Sequence, residues 1–149
     1  MNATEIIHLI EDAWSEVPYP GDGKIFRPDS YDDEDIVNYF GGTTWRDHSP
    51  ANLRAHSSAF TFFTPEAFHY WLPAFMIAAI QSPEEADVIV DYIAWHLGAR
   101  HAPKGWSLFS PVQRQAVAGY FRFQIDRFGD ASEDERKALR VVEEARLSA

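Results

Sequence analysis

Residues 64–80 read Thr64-Pro65-Glu66-Ala67-Phe68-His69-Tyr70-Trp71-Leu72-Pro73-Ala74-Phe75-Met76-Ile77-Ala78-Ala79-Ile80. From Ala67 onward the run is apolar on every face except for His69 and the Tyr70 hydroxyl. A helix that is apolar all round belongs in an interior. The run is shorter than the ~20 residues of a membrane span and Pro73 interrupts it, so it predicts a buried helix over residues 67–80 and no transmembrane segment. Pro73 has no amide hydrogen for the carbonyl of His69, and its ring crowds that oxygen. The sequence therefore predicts a kink, and a donor from elsewhere for that carbonyl.

Outward from this run, the dominant local signal is a hydroxyl residue followed by proline. It occurs at Ser49-Pro50, Thr64-Pro65, Ser82-Pro83 and Ser110-Pro111. The hydroxyl can accept from an orphan amide of a first helical turn, and proline at the next position already has helical φ and loses no hydrogen bond. Ser82 has Glu85 three residues on, Ser110 has Gln113 and Ser132 has Glu135, so each pair can close a capping box. Further helices are predicted over residues 3–16, with Ile6, Ile10, Ala13, Trp14 and Val17 on one stripe, and over 32–40, stopping at Gly41-Gly42. Others are predicted over 83–97, 111–128 and 133–147. Residues 18–31, with three prolines and two glycines, read as a long loop. The expected fold is an all-α, single-domain bundle of about six helices, spanning residues 1–149, around a buried, proline-kinked central helix.

Composition agrees with a globular chain. Its 149 residues are 46% hydrophobic and 24% charged, and a chain of about that size buries roughly 68–70% of its unfolded surface without needing metal or disulfide staples. Cysteine is absent, which excludes disulfides, thiolate metal sites and cysteine nucleophiles. The first residues lack the basic region of a signal peptide, so the expected compartment is the cytoplasm.

The formal charge is −10, and residues 1–50 carry −8 of it. Five carboxylates, Asp29, Asp32, Asp33, Glu34 and Asp35, fall within seven positions beside Tyr31. Such a run is either a solvated helix start or an anionic patch for a basic partner. The sign is wrong for nucleic acid, which needs a positive footprint. Aromatic residues are 15% of the chain. Trp71 and Trp95 lie in dense apolar segments and are expected inside, whereas Trp45 and Trp106 lie in loops and are expected to face a partner. An exposed aromatic bordering acids is the expected hot spot.

No catalytic or metal motif is recognised. The six histidines have no ligand spacing, with no H-E-x-x-H among them, and G-x-S-x-G and Gly-rich phosphate loops are absent. What remains for catalysis is a composite site from His48, His56 and His69, or the pair Asp87 and Asp91 at helical i, i+4 spacing. His69 itself reads more naturally as a core histidine near the kink.

The segment Trp45–Ile80, with its Phe-Phe-Thr-Pro-Glu-Ala-Phe-His-Tyr-Trp-Leu-Pro-Ala-Phe centre at residues 62–75, resembles an uncharacterised family of small bacterial proteins, a domain-of-unknown-function family. The resemblance continues through Glu85-Ala86-Asp87-Val88 and Ser110-Pro111-Val112-Gln113-Arg114, and covers most of residues 5–125. It implies a soluble helical bacterial protein and carries over no catalytic residue, metal or cofactor. The expected function is therefore a protein-binding inhibitor, an immunity protein that neutralises a basic toxin, of which a nuclease effector is the prime example. Its expected contacts are Asp29, Tyr31, Asp32, Asp33, Glu34, Asp35, Trp45 and Trp106. The alternatives are a small enzyme using the His or Asp groups above, or a scaffold that forms homodimers through its last helix or Trp106.

Overall fold

The computed structural model describes residues 1–27, 35–99, 105–128 and 133–146. Among these the chain forms α1 (Ala3–Trp14), α2 (Ile36–Phe40), α3 (Pro50–Ala55), α4 (Ala59–Phe62), α5 (Pro65–Gln81), α6 (Pro83–Ala86), α7 (Ile89–Gly98), α8 (Pro111–Phe128) and α9 (Glu133–Arg146). Short 3₁₀ turns lie at Asp22–Lys24 and Trp106–Leu108. The fold is all-α, and none of the described helices is long and apolar enough to cross a membrane.

Three hydroxyl-proline starts work as expected. Ser49 Oγ accepts from the Asn52 amide at 3.2 Å, and Thr64 Oγ1 accepts from that of Ala67 at 3.0 Å. Ser110 and Gln113 close a reciprocal box at 2.9 and 3.2 Å. The Thr64 hydroxyl also donates to the Lys24 carbonyl at 2.5 Å. Its own amide donates to Ile25, and Arg27 donates to Phe62. One residue thus starts the central helix and pins the proline-rich loop to it.

Helix α5 is the axis of the core. Every side chain from Ala67 to Ile80 except Ile77 is buried, and full burial of a residue such as Leu72, Phe75 or Met76 stabilises by about 1.5–3 kcal/mol each. The carbonyl that Pro73 leaves free finds its donor in α1: Trp14 Nε1 donates to His69 O at 2.8 Å. Helix α1 packs between α5 and α8, and α9 closes the other side against α7 and α8. Close approach there depends on Gly98, where an added Cβ would lie 3.2 Å from the Ala138 Cα and amide nitrogen.

Four expectations are corrected. Residues 83–97 do not form one helix, because Asp87 takes φ +47 and separates α6 from α7. Ser82 makes no side-chain cap, since it is also the residue that ends α5, its amide still bonded to Ala78 O. Of the helix predicted over 32–40, the described part is α2 from Ile36, and Asp35 does not cap it as expected: it sits at φ +58 and its carboxylate accepts from the Asn38 side chain instead of capping amides. Trp95, expected inside, is 57% exposed. The buried face of α7 runs through Ile89, Ile93 and Leu97 at i, i+4 spacing, which places residue 95 on the opposite face. The cap at Ser132 lies outside the described residues.

Two substitutions test this packing. Trp14→Phe orphans the buried His69 carbonyl and should cost about 1–3 kcal/mol in urea denaturation. Its cost should shrink in a Pro73→Ala background, where the restored amide supplies a donor; equal costs in both backgrounds would refute the assignment. Gly98→Ala gains about 1 kcal/mol of helix propensity but drives a methyl into the α9 backbone. We expect a net loss of stability, overpacking costing typically about 1–3 kcal/mol.

Candidate functional site

Most of the aromatic inventory is structural. Trp45 is 3% and Trp106 6% exposed, so neither expected contact faces outward. The Arg46 guanidinium lies over the Trp45 ring at 4.0 Å. The Trp106 ring packs tilted against that of Phe109, with centroids 4.8 Å apart. Arg114 holds that turn closed, donating to the carbonyls of Trp106 and Phe109 at 2.9 and 3.1 Å. Arg114 ties the Trp106 turn to α8, whereas the exposed Arg46 only covers Trp45 from outside; the burial of both tryptophans is a tertiary effect that loop composition does not reveal. Of the expected acidic set, Asp35 is exposed at the start of α2. Asp29, Tyr31, Asp32, Asp33 and Glu34 lie outside the described residues.

An exposed aromatic bordering acids does occur, on the seam of α7 and α9. Trp95, with Asp91, Tyr92 and Asp134, lines a shallow hollow of about 230 Å³. Val88, on the same helix's N-terminal side, is also exposed. Glu135 is buried beside this seam, and its carboxyl is pushed above the usual carboxylate range, first by burial and then by the Asp91 charge. The seam thus holds like charges together around an indole. Counting 3.6-residue periods along α7, instead of apolar density, would have found Trp95 from the sequence.

The composite catalytic sites do not assemble. His48 and His56 meet around Tyr39: His56 stacks on that ring at 3.8 Å, and His48 Nδ1 bonds the Tyr39 hydroxyl at 2.8 Å. The Thr43 hydroxyl donates to Phe40 O and so accepts from His48 Nε2 at 2.9 Å, which leaves Nδ1 as the acceptor. His69 stands with another set, donating from Nε2 to Gln113 Oε1 at 2.8 Å. Asp87 and Asp91 are separated by the break before α7, and Asp87 pairs with Arg54 at 2.9 Å. Among the described residues no three of His, Asp or Glu converge as metal ligands.

A family model matches residues 2–145. The chain belongs to DUF6714, a family of unknown function. No curated protein and no solved structure matches it. What can be said of this DUF6714 chain therefore rests on its own geometry.

In that geometry His69 is buried and His48 partly so. Burial lowers the pKa of His69 against the raising effect of the Gln113 bond. Burial also lowers that of His48, with Asp47 acting upward and His56 downward. A histidine whose folded pKa lies below the ordinary 6.5 leaves the unfolded state binding more protons as pH falls through that value, so stability is lost on acidification. The DUF6714 chain should therefore lose stability between about pH 7.5 and pH 5. His69→Gln should lose less over the same window; Glu135 and His48, common to both proteins, cancel in the difference. Parallel profiles in denaturant titrations across that range would refute the buried neutral His69.

Proposed function

We propose that this DUF6714 chain is a protein-binding inhibitor of the immunity type, which neutralises a basic toxin by direct complex formation and carries out no catalysis. The observation that supports this most is Trp95, a large aromatic left outside the core with Asp91 and Asp134 at its sides. Tryptophan is among the residues that most often dominate binding energy, and it does so when ringed by groups that exclude water. Carboxylates beside it favour a lysine- or arginine-rich counterpart over neutral surfaces.

Charge supports the same reading at longer range. A net −10, with five carboxylates between Asp29 and Asp35, attracts a cationic partner and speeds encounter in a salt-dependent way. A nuclease effector is a natural target, since it must present cations to phosphates, and an acidic surface can occupy those cations without any catalytic group.

The test is capture of partners by the tagged protein from its host's lysate at low and high salt, alongside Trp95→Ala and the double variant Asp91→Asn with Asp134→Asn. We expect one basic protein, retained at low salt, toxic when expressed alone and harmless with the wild-type chain. Trp95→Ala, being exposed, should change folding stability by no more than about 0.5 kcal/mol yet weaken capture by about tenfold or more, the loss of a hot spot. Capture undiminished by both variants, or no basic partner at either salt, would overturn the proposal.

A further inference from the structure

A second hollow, remote in sequence from the α7–α9 seam, lies where α1, the turn before α3 and the second half of α5 meet. Its volume is about 250 Å³, and its lining includes Glu11, Trp45, Arg46, Ala74, Ile77 and Ala78. The space exists because α5 presents two alanines, Ala74 and Ala78, one turn apart on this side after Pro73. Their methyls and Ile77 make an apolar floor.

The charged groups around that floor are opposite in sign and not paired with each other. Ion pairs among the described residues include Arg54–Asp87, Arg122–Glu143 and Arg140–Glu133; Glu11 and Arg46 are not paired with each other. Arg46 nevertheless has a defined place. Its guanidinium lies over the Trp45 ring at 4.0 Å, and a guanidinium carries its N–H donors in the plane of the group, in the fork that matches a carboxylate. Glu11, half-buried on α1, supplies an acceptor for a cation. The imidazole of His48 also borders the hollow, but both its nitrogens are already engaged by Tyr39 and Thr43, so it offers shape and no further strong bond.

The chemistry of the occupant follows by comparing charge types. An apolar molecule would desolvate both charges and pair neither, which is costly. A simple anion meets Arg46 but is repelled by Glu11, and a simple cation has the reverse difficulty. A zwitterion satisfies both. The volume is just below the ~300–1,000 Å³ of ordinary ligand pockets, too small for a nucleotide. The apolar floor asks for a short hydrocarbon side chain beside the two charges. We propose that this pocket binds a free aliphatic α-amino acid, its carboxylate on Arg46, its ammonium on Glu11 and its side chain on Ala74, Ile77 and Ala78. This does not depend on the protein-binding reading above.

The experiment is calorimetric titration and thermal denaturation of the whole chain with leucine, valine and isoleucine, against leucinamide, which lacks the carboxylate, and N-acetylleucine, which lacks the ammonium. At least one of the three amino acids should bind saturably and raise Tm. Leucinamide and N-acetylleucine should bind about tenfold or more weakly than leucine, as expected when a charge-assisted bond is lost. Arg46→Met and Glu11→Gln change groups that are not paired with each other in the fold, and each should weaken binding by a similar factor with the unliganded Tm little altered. Ala78→Leu, which fills the hollow, should abolish it. Binding of none of the three at millimolar concentration would overturn the proposal, as would equal binding of the amide and acetyl analogues or undiminished binding by both Arg46→Met and Glu11→Gln. Retention of the basic partner is measured separately on Trp95→Ala, so the two proposals can fail independently.

Discussion

The Trp14 indole N–H donating to the His69 carbonyl is the bond around which this bundle is organised. A proline in mid-helix leaves a carbonyl that must be satisfied in a dry interior, and only a group from another element can reach it. Because the donor is a tryptophan in the last turn of α1, that turn is drawn against the middle of α5. The α1 carbonyl of Ala13, one of the orphans at a helix end, then meets α8, where Gln113 Nε2 donates to it at 3.0 Å. Gln113 Oε1 in turn accepts from His69 Nε2 and from the Ser110 amide. The chain Trp14, His69, Gln113, Ala13 closes on itself through three helices. Replacing one member unsatisfies its neighbours as well, so these residues should behave as a coupled unit.

How much of this could be read beforehand divides along a physical line. Features decided within one helical turn were legible: the caps at Ser49, Thr64 and Ser110, the buried character of α5, and the unmet carbonyl at His69. Features decided across the chain were not. That the missing donor is Trp14, 55 residues away, is a fact of packing. So is the burial of Trp45 and of Trp106, the latter tied down by Arg114, which turned two expected contacts into core residues. Trp95 is a different case. Its exposure follows from period, and apolar density misled. Asp87 shows the opposite failure, a locally plausible helical position broken by a positive φ where Arg54 meets its carboxylate.

With α5 enclosed, recognition has to happen on its flanks, and the two candidate surfaces differ in kind. On the α7–α9 seam an aromatic protrudes among acids, the relief suited to a macromolecule that can wrap it. Beside α1 two opposite charges border a small recess with an apolar floor, the relief suited to a small molecule that fills it. The Trp14 bond bears on the second, because the turn of α5 after Pro73 carries Ala74 and Ala78 toward the recess while that bond holds α1 and its Glu11 alongside.

The acidic seam carries an energetic signature of its own. Glu135 is buried near Asp91 and its carboxyl is raised in the folded state. A group shifted upward contributes stability that is present below its unfolded pKa and lost as pH rises through the folded value. At neutral pH, therefore, Glu135 is held at a cost to the fold. Departures of this kind from local consistency concentrate where a protein meets its ligand. A cation brought to Asp91 and Asp134 would offset the negative potential at Glu135 and recover part of that cost. The same electrostatic tension that weakens the free chain would then strengthen its complex.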